Sequence, residues 1–196
     1  MEPKDYLSIG ISGLAFVVST GAAIFALESK KHDDERSNRA MLTDTVSKII
    51  LARGEQAKLS TGMPVNQALI SAYFTQINAL ARLAVYTADK IPQLAADVDY
   101  SVVADAFGAT SDPEQARKYF NLAIERSKGT NSEIRNRSSF AQFHFMFGDV
   151  RNGRDQYTKA LALISPNDDF GKWTEGMTHQ MWAVSERARG ELSRKG

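Results

Sequence analysis

The feature that most limits how this chain can fold is a run without a single charged residue from position 7 to position 27. A helix rising 1.5 Å per residue crosses about 30 Å of hydrocarbon in roughly 20 residues. The preceding residues 1–5 have balanced charges, whereas a cleaved signal peptide usually begins with a positive segment and has a shorter apolar core. The run therefore predicts a membrane helix that stays attached, with a cleaved signal peptide as the alternative.

Basic residues on either side of the run predict its orientation. Lys4 precedes it, whereas Lys30, Lys31, Arg36 and Arg39 follow it. Lys and Arg near a membrane helix tend to remain in the cytoplasm. We therefore expect a single-pass protein with its N-terminus outside and its soluble part in the cytoplasm.

A stripe of small side chains is predicted along one face of this membrane helix. Such residues let two helices approach closely and gain dispersion contacts. The stripe predicts lateral packing, including a possible homo-oligomer, although small residues are also common in membrane helices generally. Its members are Ser8, Ser12, Ala15, Ser19, Ala22 and Ala26.

The remainder of the chain has helical periodicity. Residues 37–59 form an amphipathic pattern, residues 65–90 form a longer one, and Pro92 ends the second because the residue before proline disfavours helical torsions. No alternating strand pattern is present. The sequence predicts an all-α protein with a membrane anchor (1–28), a juxtamembrane amphipathic helix and linker (29–63), and a helical domain (64–196) whose last helix spans about 170–194.

Two segments of the chain, 111–127 and 148–164, share one pattern when they are aligned with a shift of 37 residues. Small residues at matched positions would admit the backbone of a neighbouring helix, and aromatic residues would fill the space between helix pairs. The first segment also has a clear helix start, in which Asp112 is a good N-cap and Pro113 suits the first turn. The aligned pairs are Asp112 and Asp149, Ala116 and Gly153, Phe120 and Tyr157, and Ala123 and Ala160. In the helices before these segments, the same shift aligns Val103 with Phe140, Ala104 with Ala141, and Phe107 with His144.

This pattern resembles the tetratricopeptide-repeat family, whose unit is a pair of antiparallel helices with small and aromatic residues at these places in the second helix. The resemblance covers residues 99–166. It implies a right-handed stack of α-α hairpins behind the N-terminal transmembrane helix. The shift is longer than the family's usual period of about 34 residues, and the first helices lack the family's tryptophan and leucine-glycine signature, so chance similarity of two hairpins is the alternative. The matching residues are Gly148, Gly153, Tyr157, Ala160 and Pro166 in the second copy and Ala116, Phe120 and Ala123 in the first.

The resemblance also implies a binding groove, because the first helices of stacked hairpins usually line the surface that holds a peptide or partner helix. Arg and aromatic side chains often contribute much of the energy of such interfaces. For Phe145 and Trp182, a place in the core is the alternative. The implied groove residues are Asp105, Arg135, Ser138, Gln142, Phe145, His179 and Trp182.

The sequence gives no sign of catalytic, metal or cofactor chemistry. The chain has no cysteine, its three histidines are far apart, and its formal net charge of +1 provides no field to hold a nucleic acid. His144 lies among Phe143, Phe145 and Phe147 and is expected to be a packed histidine with one hydrogen bond. We therefore expect no enzymatic activity, no cofactor, no metal and no nucleic-acid partner.

These observations predict a membrane-tethered adaptor or scaffold that binds another protein or peptide through its helical domain. One alternative is an extracytoplasmic, chaperone-like helical protein, which requires the opposite orientation. A second alternative is a small enzyme whose site the sequence does not reveal.

Overall fold

The computed structural model describes the backbone of residues 3–61, 66–164 and 176, with side chains at 28–59, 66–164 and 176. Within these residues there are six helices and no strand, which confirms the all-α prediction. The predicted last helix, 170–194, lies outside the described residues except for position 176. The helices are α1 (Pro3–Thr61), α2 (Gln67–Lys90), α3 (Asp97–Ala109), α4 (Pro113–Glu125), α5 (Thr130–Met146) and α6 (Val150–Ala162).

Helix α1 is continuous over 59 residues, a length of about 90 Å at the usual rise per residue. It includes both the uncharged run 7–27 and the amphipathic segment 37–59, so the predicted boundary between residues 28 and 29 lies inside one helix. Side chains 28–34 are exposed, whereas Leu42, Val46 and Ile49 are buried. In the part of α1 whose side chains are described, residues 28–59, the contribution to the folded core therefore begins at Leu42.

Helix α2 packs against this second half and forms a hairpin with α1. Its start is capped by Asn66, whose side-chain oxygen accepts a hydrogen bond from the Leu69 amide at 3.0 Å, and it ends one residue before Ile91. Its buried residues include Ile77, Ala81 and Ala84. Among the residues whose side chains are described, which do not include the run 7–27, α2 is the one helix long and apolar enough to cross a membrane, a property that core helices of soluble proteins also have.

Two further hairpins, α3–α4 and α5–α6, stack on the first. Helix α3 contacts α1, α2 and α5, and α4 contacts α5. At one interface Phe120 of α4 stacks on Phe140 of α5, with ring centroids 5.1 Å apart. At another, Phe143 reaches the backbone of α3 at Gly108, where an added Cβ would lie 3.0 Å from the ring. Aromatic side chains thus fill the space between hairpins, and a glycine admits one of them.

The shift of 37 residues also relates most bounds of the last two hairpins, although α5 begins four residues earlier than the shift would place it. Adding 37 to the bounds of α4 gives those of α6, and adding it to the last residue of α3 gives that of α5. Both turns use a residue in the left-handed region, Ser111 (φ 63°) and Gly148 (φ 76°). In both, the next residue is an aspartate that caps the following helix, Asp112 or Asp149.

Candidate partner-binding face

The candidate face is the outward side of α3 and α5, the first helices of the last two hairpins. Five of the seven predicted groove residues belong to these two helices. Arg135, Ser138 and Gln142 follow one another at helical spacing on one side of α5. Asp105 occupies on α3 the place that Gln142 occupies on α5, because 37 residues separate them. His179 and Trp182 lie outside the described residues.

Asp105 is exposed and connects α3 to α1. Its Oδ2 atom lies 3.2 Å from Nη2 of Arg53 and accepts a hydrogen bond of 3.2 Å from Nε of the same arginine. An ion pair at the surface contributes only about 0–1 kcal/mol to stability. Both side chains can therefore exchange this contact for a partner at small cost.

Arg135 is also exposed and paired. Its Nη2 atom donates to Oδ2 of Asp97 at 3.0 Å, which joins the first turn of α3 to α5. Gln142 is exposed, and Ser138 between them is half-buried. The face thus presents a cation and an amide two turns apart.

Phe145 does not lie on this face, because its ring packs against α6. A Cβ added at Gly153 would lie 2.2 Å from a ring carbon of Phe145, so the ring occupies the space that the glycine leaves. The alternative of a packing role for Phe145 agrees with this contact. Of the five described groove residues, the structure brings four to the outward side of the first helices.

Asp97 and Asn136 form a polar network that sequence reasoning did not identify. Oδ2 of Asp97 accepts hydrogen bonds from Ser132 at 2.5 Å and from Nδ2 of Asn136 at 3.0 Å, in addition to Arg135. Burial would raise the pKa of Asp97, but these hydrogen bonds and the charge of Arg135 outweigh it, so the pKa lies below its usual range. An acidic residue in the first turn of a helix was visible in the sequence, but its distant partners were not.

Asp99 forms a second connection, between α3 and α1. Its carboxylate pairs with the guanidinium of Arg39 and accepts a hydrogen bond of 2.8 Å from the Ala96 amide. Its side chain is only 5% exposed, compared with 62% for Asp105. The pairs Arg39–Asp99 and Arg53–Asp105 therefore join the same two helices, and they differ in that the carboxylate of the first is buried and that of the second is exposed.

His144 confirms the expectation of a packed histidine. It is buried against Phe140, and its Nδ1 atom lies 3.0 Å from Oδ2 of Asp149. Burial lowers the pKa of His144, and the attraction of Asp149 opposes the shift only in part. Nowhere in the described part of the chain do three or more His, Cys, Asp or Glu side chains lie close enough to hold a metal ion.

The second predicted surface was the small-residue face of the membrane helix. The backbone of its residues belongs to α1, which is helical throughout, but their side chains lie outside those described. The contacts of this face stay a prediction. Its members are Ser8, Ser12, Ala15, Ser19, Ala22 and Ala26.

Comparison of the chain with protein-family models, with curated proteins and with solved structures finds no match.

Proposed function

We propose that this protein is a membrane-tethered adaptor that binds another protein or peptide on the outward side of its stacked first helices. The observation that carries the proposal is the repetition of the turn and the second helix of a hairpin. One shift of 37 residues relates the bounds of α4 to those of α6, the last residue of α3 to that of α5, the left-handed turn residues and the capping aspartates. Stacked helical hairpins of the tetratricopeptide type provide extended surfaces for binding.

The chemistry of the candidate face supports this proposal. Arg135 offers a guanidinium that a carboxylate of a partner could share, and Gln142 offers an amide that both donates and accepts hydrogen bonds. Asp105, which is 62% exposed, has a surface ion pair that is inexpensive to rearrange. Arg135 is 55% exposed, and if it turns to a partner, Asp97 keeps its hydrogen bonds from Ser132 and Asn136. The expected occupant is therefore a peptide segment with polar and acidic groups.

The uncharged run 7–27 supplies the tether in this proposal. Confining a binding surface to the plane of a membrane raises its effective concentration toward partners in the same plane. The soluble part is proposed to lie in the cytoplasm, on the grounds of the basic residues that follow the run. A C-terminal reporter that is active only in the cytoplasm tests this orientation, and an inactive reporter on a membrane-bound chain would favour the extracytoplasmic alternative.

Site-specific photo-crosslinking tests the binding face. A photoreactive residue in place of Gln142 on α5 should form covalent adducts with a partner in the native membrane. The matched controls are Asn121 on α4 and Arg151 on α6, which are exposed on the second helices. Adducts from the control positions but not from Gln142 would contradict the proposal.

Substitution at the face provides a second measurement. Arg135→Ala combined with Gln142→Ala should reduce recovery of the crosslinked partner, whereas Asn121→Ala combined with Arg151→Ala should not. Loss of the Arg135–Asp97 pair should lower stability by about 1 kcal/mol, because Asp97 keeps its hydrogen bonds from Ser132 and Asn136. A large fall in melting temperature without a specific loss of the partner would assign both residues to the fold instead.

A further inference from the structure

The first helices of the three hairpins run in the same direction. Asp97 at the start of α3 contacts Ser132 and Asn136 near the start of α5, and Gly108 near the end of α3 contacts Phe143 near the end of α5. Helix α1 follows the same direction, because Arg39 pairs with Asp99 and the later Arg53 pairs with the later Asp105.

This parallel arrangement gives the stack two distinct ends. The proximal end contains the connections 91–96 and 126–129, which lead into α3 and α5. The distal end contains the turns 110–112 and 147–149. The two ends are separated by the length of α3, 13 residues, or about 20 Å. The uncharged run 7–27 extends from the proximal end, since it is the N-terminal part of α1.

The height of the proximal end above the run follows from the continuity of α1. Glu35 lies eight positions after Leu27, which places it about 12 Å beyond the run along the helix axis. Nε2 of Gln93 donates a hydrogen bond of 3.3 Å to Oε1 of Glu35, so the connection after α2 is held at this level. Lipid headgroups occupy roughly the first 5–8 Å outside the hydrocarbon.

We propose that the proximal end of the stack faces the bilayer and that lipid headgroups enter the recess between α1 and the connection after α2. This inference rests on the proposed membrane tether. The recess is lined by Lys30, Lys31, Asp34, Glu35, Lys90 and Gln93. One wall of the recess belongs to α1, the same continuous helix as the run 7–27. The long side chains of the recess can therefore reach the headgroup layer.

The charges of the recess fit a phospholipid surface. The ammonium groups of Lys30, Lys31 and Lys90 can bind headgroup phosphates, while the carboxylates of Asp34 and Glu35 can bind headgroup amines. Because the two signs are nearly balanced, the recess has little preference for anionic lipids. The contact should therefore form on zwitterionic vesicles and should change little when anionic lipid is added.

The absence of cysteine from the chain allows one fluorophore to be placed at each end. Gln93→Cys and Lys128→Cys label the proximal end, and Ser111→Cys is the matched control at the distal end. All three positions are exposed. The full-length protein is reconstituted into phosphatidylcholine–phosphatidylethanolamine vesicles that carry a nitroxide quencher on the headgroup, and attachment is measured by extraction with alkaline carbonate.

The proposal expects the proximal labels to lose several-fold more fluorescence than the Ser111→Cys label, on vesicles with or without anionic lipid. Equal quenching at both ends, or stronger quenching of the distal label, in a protein that resists carbonate overturns the orientation while the tether stands. Release of the protein by carbonate overturns the tether itself, and the inference with it.

Discussion

At the scale of single residues, Gly153 leaves the least room for a Cβ among the described glycines, because the ring of Phe145 lies against it. A glycine inside a helix usually costs stability relative to alanine, by about 1 kcal/mol. Here the missing Cβ makes room for the aromatic ring, with 2.2 Å between the ring and the position of an added Cβ. The packing of α5 on α6 therefore depends on the smallest side chain.

Gly153→Ala should lower the stability of the protein, by about 1–2 kcal/mol, because the ring of Phe145 must move out of a close contact. Gly54→Ala is the matched control, since Gly54 also lies in a helix but has no neighbouring atom within 4 Å of an added Cβ. That variant should gain up to about 1 kcal/mol. Thermal unfolding in detergent measures both, and an equal gain in the two variants would show that the ring moves freely.

The carboxylate of Asp97 should make stability depend on pH. Its pKa is lower in the folded protein than its ordinary value, so its contribution is complete above the unfolded pKa of about 3.9 and is lost as the pH falls through the folded pKa. Asp97→Asn removes this dependence. The difference in melting temperature between the natural protein and Asp97→Asn should therefore shrink below about pH 4. A difference that stays constant to the lowest pH would contradict the assignment.

Residue-scale features were predictable where they depend on neighbours in the sequence. The N-cap Asp112 and the proline after it are recognisable because capping is local, and the structure confirms both. His144 was correctly expected to be buried because aromatic residues surround it. Asp97 and Asn136 were missed, since 39 positions separate two side chains that share a hydrogen bond.

At the scale of elements, both turns between paired helices follow the same hydrogen-bonding scheme. The amide of Asp112 donates to the carbonyl of Phe107, and the amide of Asp149 donates to that of His144, each at 2.9 Å. This hydrogen bond ends the first helix of each pair, and the residue before the aspartate adopts the left-handed conformation. Glycine suits that position, and the first turn has Ser111 there instead.

Ser111→Gly should therefore stabilise the protein by about 0.5–1 kcal/mol, because glycine adopts a positive φ without steric cost. Gly148→Ser is the reciprocal change and should destabilise by a similar amount. Melting temperatures of the two single variants measure the effect. Shifts of the same sign would mean that local torsion does not determine the stability of these turns.

The two ion pairs between α1 and α3 should differ in their contribution to stability. Asp99→Ala leaves the Ala96 amide and the half-buried Arg39 without an acceptor, at a cost of about 1–3 kcal/mol. Asp105→Ala removes a partner that is 62% exposed, and should cost less than about 1 kcal/mol. Denaturant unfolding measures the free energy of unfolding of both variants. An equal loss in the two variants would contradict the expectation that the buried carboxylate contributes more to stability than the exposed one.

Element positions were predicted to within a few residues, because proline and capping residues mark helix ends. The helix expected at 65–90 is observed as Gln67–Lys90. The continuity of α1 was not predicted, since the sequence pattern indicated a boundary between residues 28 and 29 and the next helix only at 37–59. Charged residues are compatible with a helix that is exposed on all sides, and only their packing environment distinguishes a linker from an exposed helical segment.

At the scale of the whole molecule, the all-α class could be predicted from periodicity, but which helices contact one another could not. Periodicity shows which face of each helix is apolar, but not which neighbour covers it. The pairing of Phe120 with Phe140 and the entry of Phe143 at Gly108 define the stacking of hairpins. The sequence indicated that aromatic residues would fill such gaps without identifying these pairs.

The length of α1 outside the stack should determine the height of the proximal end above the membrane. A helix-forming insert of two turns, about seven residues, between Glu28 and Ser29 should raise that end by about 10 Å. The proximal label at Gln93→Cys should then lose most of its headgroup quenching. A glycine–serine insert of the same length is the control and should retain more quenching, because a flexible segment lets the stack approach the lipid. Equal quenching with the two inserts would mean that α1 does not act as a rigid spacer.

If the proposed tether holds, α1 is both the membrane segment and the first member of the stack, and a rotation of one end of this helix is passed on to the other. Turning residues 7–27 about their axis turns the candidate face through the same angle, since no joint separates them along α1. In the proposed adaptor, the contacts of residues 7–27 would then determine the direction in which the candidate face points within the plane of the membrane. Two anchors locked side by side would present their faces at one fixed angle, which would select partners by geometry as well as by affinity.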